Sequence, residues 1–92
     1  MTEPAFVRSP DALSRSVAGE VLVTAPGREE VDRLSPSAVA VWSLLDEPLT
    51  LSGVVEQLVE VFQAPRGTIA RDVEGLLGDL VRRGWVQEVP HS

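Results

Sequence analysis

The chain has no cysteine, no lysine, a single histidine and no long apolar run. The missing cysteines exclude a disulfide scaffold, thiolate zinc sites and thiol nucleophiles, and give no sign of an oxidising compartment. The one histidine, His91, is next to last. Metal centres and histidine bases need convergent groups on rigid elements, which a residue in that position is poorly placed to join. No segment approaches the ~20 apolar residues of a membrane span, and Met1 to Arg8 lacks the basic and apolar regions of a signal peptide. A cytoplasmic protein with no metal, no cofactor and no membrane partner is expected. Without lysine, all eight positive charges are arginines, scattered among fourteen acids for a net charge of −6. Duplex binding needs a clustered basic face to neutralise phosphates, so the balance weighs against nucleic acid.

At 92 residues the chain suits one small domain with a modest core. Its longest helical pattern runs from Arg66 to Val86 and closes with a clear stop. Ile69, Val73, Leu76, Leu77 and Leu80 recur at the spacing that lines one face of a helix, with Arg71, Gly75, Gly78 and Arg82 opposite. Arg82 and Arg83 meet the negative end of the helix dipole, and Gly84 follows as a left-handed cap that lets Trp85 and Val86 fold back. Along one border of the apolar stripe, Asp72, Leu76, Asp79 and Arg83 form a column that mixes charge with a large aliphatic group. Such a column can line a groove, or it can be an ordinary boundary with an Asp79–Arg83 pair worth roughly 0.3–0.5 kcal/mol.

Earlier in the chain, Leu13–Val17 and Glu20–Thr24 read as two strands joined by Ala18-Gly19, a two-residue hairpin turn. Val21 and Val23 face one way, Leu22 and Thr24 the other. Pro26-Gly27 is a turn dipeptide, and Glu29–Leu34 follows as a third strand. Its charged residues suit a sheet edge, which discourages stray pairing yet can accept a matching strand. Ala5–Val7, between Pro4 and Pro10, is expected to be an isolated extended piece or mobile. Ser35 caps a helix with Pro36 at its first position and Val39, Val41, Trp42 and Leu45 on its apolar face, ended by Asp46-Glu47-Pro48. Thr50 caps a second helix through about Phe62, with Val54, Val55, Leu58, Val59 and Phe62 inward. The tail after Val86 is polar and expected to be loose. Three strands followed by three helices predict an α+β fold of winged helix-turn-helix type.

From Leu34 to Val86 the chain resembles the PqqD-like family, the small peptide chaperones and recognition elements of ribosomally made natural-product precursors. The resemblance is carried by LSPSAVAVWSLLDEP, by TLSGVVEQLVEVF and by the ending made of Asp72, Val73, Leu76, Leu77, Leu80, Gly84, Trp85 and Val86. Where that family usually has asparagine after the leucine, this chain has Ser35, an equally good helix cap. The resemblance implies one recognition domain over 1–92, with a core of about 12–88 and flexible tails. It also implies that the leader segment of a precursor adds as a strand to the third strand and lies against the third helix. The binding residues would be Val31, Asp32, Arg33 and Leu34 on the strand and Asp72, Leu76, Asp79 and Arg83 on the helix. The rival flank is Ala70, Leu77 and Val81. The implied partners are the precursor peptide and a modifying enzyme or leader peptidase of the same pathway. Lasso peptides, quinone-cofactor precursors and radical-enzyme substrates all remain open, since fold does not choose among them.

Two other functions compete. A DNA-binding winged helix needs basic residues on its reading helix, but Leu51–Phe62 has Glu56 and Glu60 and no base. Arg66–Arg83 carries four arginines against three acids without a basic surround. A homodimerisation module would pair the edge strand with its own copy, against repulsion among Glu29, Glu30 and Asp32. An enzyme is the weakest reading, because Ser35, Ser37 and Thr50 serve as helix starts and no carboxylates converge.

Overall fold

The computed structural model describes residues 3–90; His91, and with it the last two residues of the polar tail, lies outside them. The expected hairpin forms between the chain's second and third strands, β2 (Leu13–Val17) and β3 (Glu20–Thr24). Ala18 and Gly19 both have positive φ, 51° and 82°, as a type I′ turn requires. Gly27, with φ of 81°, completes the Pro26-Gly27 turn, and the Arg28 N–H donates to the Ala25 carbonyl. The next strand, β4, is Asp32–Leu34, shorter than the expected Glu29–Leu34. These three strands make an antiparallel sheet in the order β2-β3-β4. The inner face of β3 holds Val23, fully buried, while every residue of β2 is exposed.

Three helices follow, so the α+β expectation holds. Helix α1 (Pro36–Trp42) begins as expected, with the Ser35 hydroxyl accepting from the Ala38 N–H at 3.1 Å. Tight turns then carry the chain to Leu45, which is fully buried. Helix α2 (Leu51–Val61) is capped by Thr50, whose hydroxyl accepts from the Gly53 N–H. Helix α3 spans Arg66–Arg83 and buries Ile69, Val73, Leu77 and Leu80 against α1 and α2, each side chain of that size contributing roughly 1.5–3 kcal/mol. Gly84 takes φ of 84°, and the Trp85 N–H reaches back to the Leu80 carbonyl. Trp85 thereby turns into the core, where it is fully buried. Phe62 departs from its expected place: as the cap residue of α2 it has left the helical face, and it is 47% exposed.

A second sheet corrects both ends of the sequence reading. Strand β1 (Ala5–Arg8) is its middle strand, flanked by β5 (Leu49–Thr50) and β6 (Val86–Val89). Ala5 is fully buried between Thr50 and Val89. Glu3 accepts from the Ser52 N–H and hydroxyl, an acid at the positive end of α2. The packed body therefore begins well before residue 12, and the chain after Val86 is paired through Val89 rather than loose. Among the described residues no helix is long and apolar enough to cross a membrane.

Candidate functional site

Strand β4 offers one edge to β3, through Val23↔Asp32, Leu22↔Arg33 and Val21↔Leu34; no strand takes its other edge among the described residues. Its outward backbone donors and acceptors are available to a further strand. Side-chain alternation along β4 separates the four strand residues singled out above. Leu34 is 6% exposed and belongs to the core, so its side chain is removed from the candidate site and only its backbone borders the edge. Arg33 reaches across the sheet to Glu20 at 3.1 Å and does not join α3. Val31 precedes the strand and is 59% exposed. Asp32 is the one of the four that pairs with a charged side chain of α3.

There it meets the end of the predicted column. The Asp32 carboxylate accepts from the Trp85 indole N–H and lies 3.6 Å from the Arg83 guanidinium. Arg83 Nε is 3.1 Å from Asp79, the expected i,i+4 pair. Arg28 lies over the Trp85 ring, 3.9 Å from its centroid, and pairs with Glu30 at 3.5 Å. Glycine at this cap is required by its φ of 84°; a Cβ there would also come within 3.2 Å of the Arg28 guanidinium, which would have to shift slightly. These partly exposed ion pairs are each worth ~0–1 kcal/mol to the fold, little enough that their members can exchange partners.

Farther along α3, a shallow groove separates Asp72 and Leu76 from Ser35 and Ser37, at the junction of β4 and α1. Arg71 and Gly75 border it too; both are exposed, as expected, but they stand on the groove's shoulder rather than wholly opposite. Asp72 has no ion-pair partner among the described residues. Asp72, Leu76, Asp79 and Arg83 thus face the β4–α1 side. The rival flank faces elsewhere: Leu77 is 1% exposed, and with Val81 it lies against Phe6 and Leu51 on the β1 side.

Two side chains, Ser37 in the groove and Arg28 over Trp85, escaped the sequence. Ser37 was read only as a helix start, and Arg28 had no reading at all. The signal for the Trp85–Asp32 contact was present, because a buried indole N–H calls for an acceptor, but its identity depends on residues 53 positions apart. Among the described residues no three His, Cys, Asp or Glu side chains are grouped to hold a metal.

The family model described as coenzyme PQQ synthesis protein D (PqqD) matches residues 20–86. No curated protein matches the chain in sequence. Among solved structures, TbiB1 in complex with the TbiA(beta) leader peptide superimposes with a TM-score of 0.78 at 20% identity, over 92% of this chain and 99% of TbiB1. The solution structure of the PqqD part of Methylobacterium extorquens PqqCD, described as a functional, stand-alone recognition element for ribosomally synthesised and modified peptides, gives 0.74 at 22% identity. That likeness covers 90% of this chain and 88% of the other. At such identities the two structures speak to the shared fold.

Proposed function

This chain belongs to the PqqD family, and on that footing we propose that it is a single, non-catalytic recognition domain for the leader segment of a ribosomally made precursor peptide. The leader adds as a strand to the open edge of β4 and lies against α3, and the complex is delivered to a modifying enzyme or leader peptidase. The observation that carries this reading is the open β4 edge facing the mixed wall of α3. Backbone hydrogen bonds along β4 supply affinity whatever the sequence, and the wall supplies choice. Asp32 and Val31 flank the strand; Asp72, Leu76, Asp79 and Arg83 form the wall. The protein's share of the chemistry is to raise the effective concentration of substrate at its partner.

The test is fluorescence anisotropy with a labelled peptide copied from the N-terminal segment of any short reading frame that adjoins this gene. An N-methyl scan of that peptide should weaken binding at alternate positions only, because every second N–H of an added strand points at β4. Each effective methyl should cost about two- to thirteenfold, the value of a hydrogen bond of ~0.5–1.5 kcal/mol. A uniform or absent effect would rule out strand addition. Charge reversal by Asp79→Arg with Arg83→Asp should shift affinity, whereas unchanged affinity would point to the flank of Ala70, Leu77 and Val81. Binding of duplex DNA instead, with steep salt dependence, would favour the winged-helix alternative.

A further inference from the structure

An apolar cavity of about 200 Å³ opens between α1, α2 and α3, beyond the groove just described. Its walls include Ala40, Val41, Leu58, Ile69, Val73 and Leu76. An aliphatic cavity of ~150 Å³ accommodates benzene, so this one has room for a branched aliphatic side chain or a single aromatic ring. The cavity and the groove adjoin, with Ser37, Asp72 and Leu76 in the walls of both. At its rim Phe62 is 47% exposed, a large apolar surface left next to an apolar hole.

Asp72 stands at the junction. The other two acids near α3's wall, Asp32 and Asp79, are both engaged by Arg83, while Asp72 has no such partner among the described residues. Arg71, its neighbour in sequence, borders the groove but also the depression on the outer face of α3 formed with Gly67 and Glu74. An extended peptide places residues two apart on the same side, ~7 Å from each other. A side chain seated in the cavity therefore brings the residue two positions away over the cavity's mouth. A lysine or arginine there has the reach to meet Asp72, and the chain's net charge of −6 favours a basic ligand.

We propose that this end of the groove is a specificity pocket that reads an apolar residue together with a basic residue two positions away, the apolar side chain entering the cavity and the cation resting on Asp72. The proposal depends on the peptide-binding reading above and names which peptides that site selects.

A phage-displayed library of random peptides, selected on the full chain and on Asp72→Lys, tests it. Wild-type selection should enrich the apolar/basic pair, and Asp72→Lys should replace the basic member by Asp or Glu. For one enriched peptide, replacing its base by alanine should weaken binding up to about fivefold to wild type and not at all to Asp72→Asn, in line with an exposed ion pair. Ala40→Leu, which partly fills the cavity, should cost about tenfold or more against the same peptide, the scale of burying one aliphatic side chain. Should Ala40→Leu fail to fold, truncating the peptide's apolar residue to alanine reads the same contact. Enriched peptides without the pair, or an unchanged preference in Asp72→Lys, would overturn the pocket while leaving peptide binding intact. No enrichment of any peptide would overturn both.

Discussion

Trp42 and Trp85 are buried alike, at 3% and 0% exposure, and each lies beneath an arginine, Arg8 at 5.0 Å and Arg28 at 3.9 Å from the ring centroid. Their polar surroundings differ. Around Trp42 the partners are backbone: Arg8 Nε donates to the Trp42 carbonyl and the Arg8 N–H to the Leu45 carbonyl. Next along the chain, Ser9 binds the carbonyls of Gly84 and Trp85 through its hydroxyl and its N–H. The Trp42 indole N–H itself has no partner among the described residues. Trp85 shares that Ser9 bond at its carbonyl, but around its ring the partners are charged side chains, Asp32, Arg83, Asp79 and Arg28, beside an open strand edge. Backbone partners inside a fold cannot be traded without opening it, whereas partly exposed charges can be handed to a ligand at small cost. The first region belongs to a clasp that β1 and Ser9 make with α1 and the segment leading into β6; the second is held by partners that can be exchanged.

The largest expected effect comes from cutting the clasp. Removing the first eight residues takes away β1, with its pairing to β5 and β6, the buried Ala5, and the Arg8 contacts to α1. At ~1 kcal/mol per hydrogen bond plus ~25 cal/mol per Å² of lost apolar burial, the loss should be on the order of 4 kcal/mol. Urea unfolding followed by circular dichroism would read it as a large fall in midpoint. An unchanged midpoint would mean that the helices and the β2-β3-β4 sheet stand alone, and the clasp would lose its meaning.

Changing the rings one at a time is a finer test. Trp85→Phe and Trp42→Phe remove similar volume, so they share a similar cavity cost. Only Trp85→Phe also strips an acceptor of its donor, since Asp32 is just 23% exposed at its side chain. Trp85→Phe should therefore cost about 1 kcal/mol more than Trp42→Phe, which removes a donor already unpaired. Equal costs would show the Trp85–Asp32 bond to be energetically idle.

Local chemistry is what the sequence displays, and the elements built from it were legible. Ser35 and Thr50 cap their helices, Ala18-Gly19 turns the hairpin, and α3 ends at Gly84, because each depends on a few neighbouring residues. The α3 column was readable for the same reason, as helical period alone sets which residues share a side. The extended form of Ala5–Val7 was one of two readings, but its pairing in a sheet was not readable. The four residues of β1 show no pattern of their own, and what makes them a strand is pairing with residues far along the chain. The burial of the Leu34 side chain was not readable, because alternation says that neighbours face opposite ways without saying which way is inward. Asp32's role depends on Arg83 and Trp85, which only the folded chain brings beside it.

The smallest expected effect asks whether the open region works as a rigid template. Ala18 sits at φ of 51°, a conformation costly for a residue with a Cβ, in a turn whose first position favours asparagine. Ala18→Asn should raise stability by about 0.5–1 kcal/mol, the typical size of a relieved turn. The turn joins β2 to β3, neither of which borders the open edge of β4, and it makes no part of the α3 wall. If β4 is held ready for its ligand by the strands behind it, stiffening the hairpin should leave leader affinity within about twofold, an energy difference of ~0.4 kcal/mol. A clear loss of affinity would mean that the sheet must flex to admit a strand. The Trp85 region would then differ from the clasp in mobility as well as in the exchangeability of its partners.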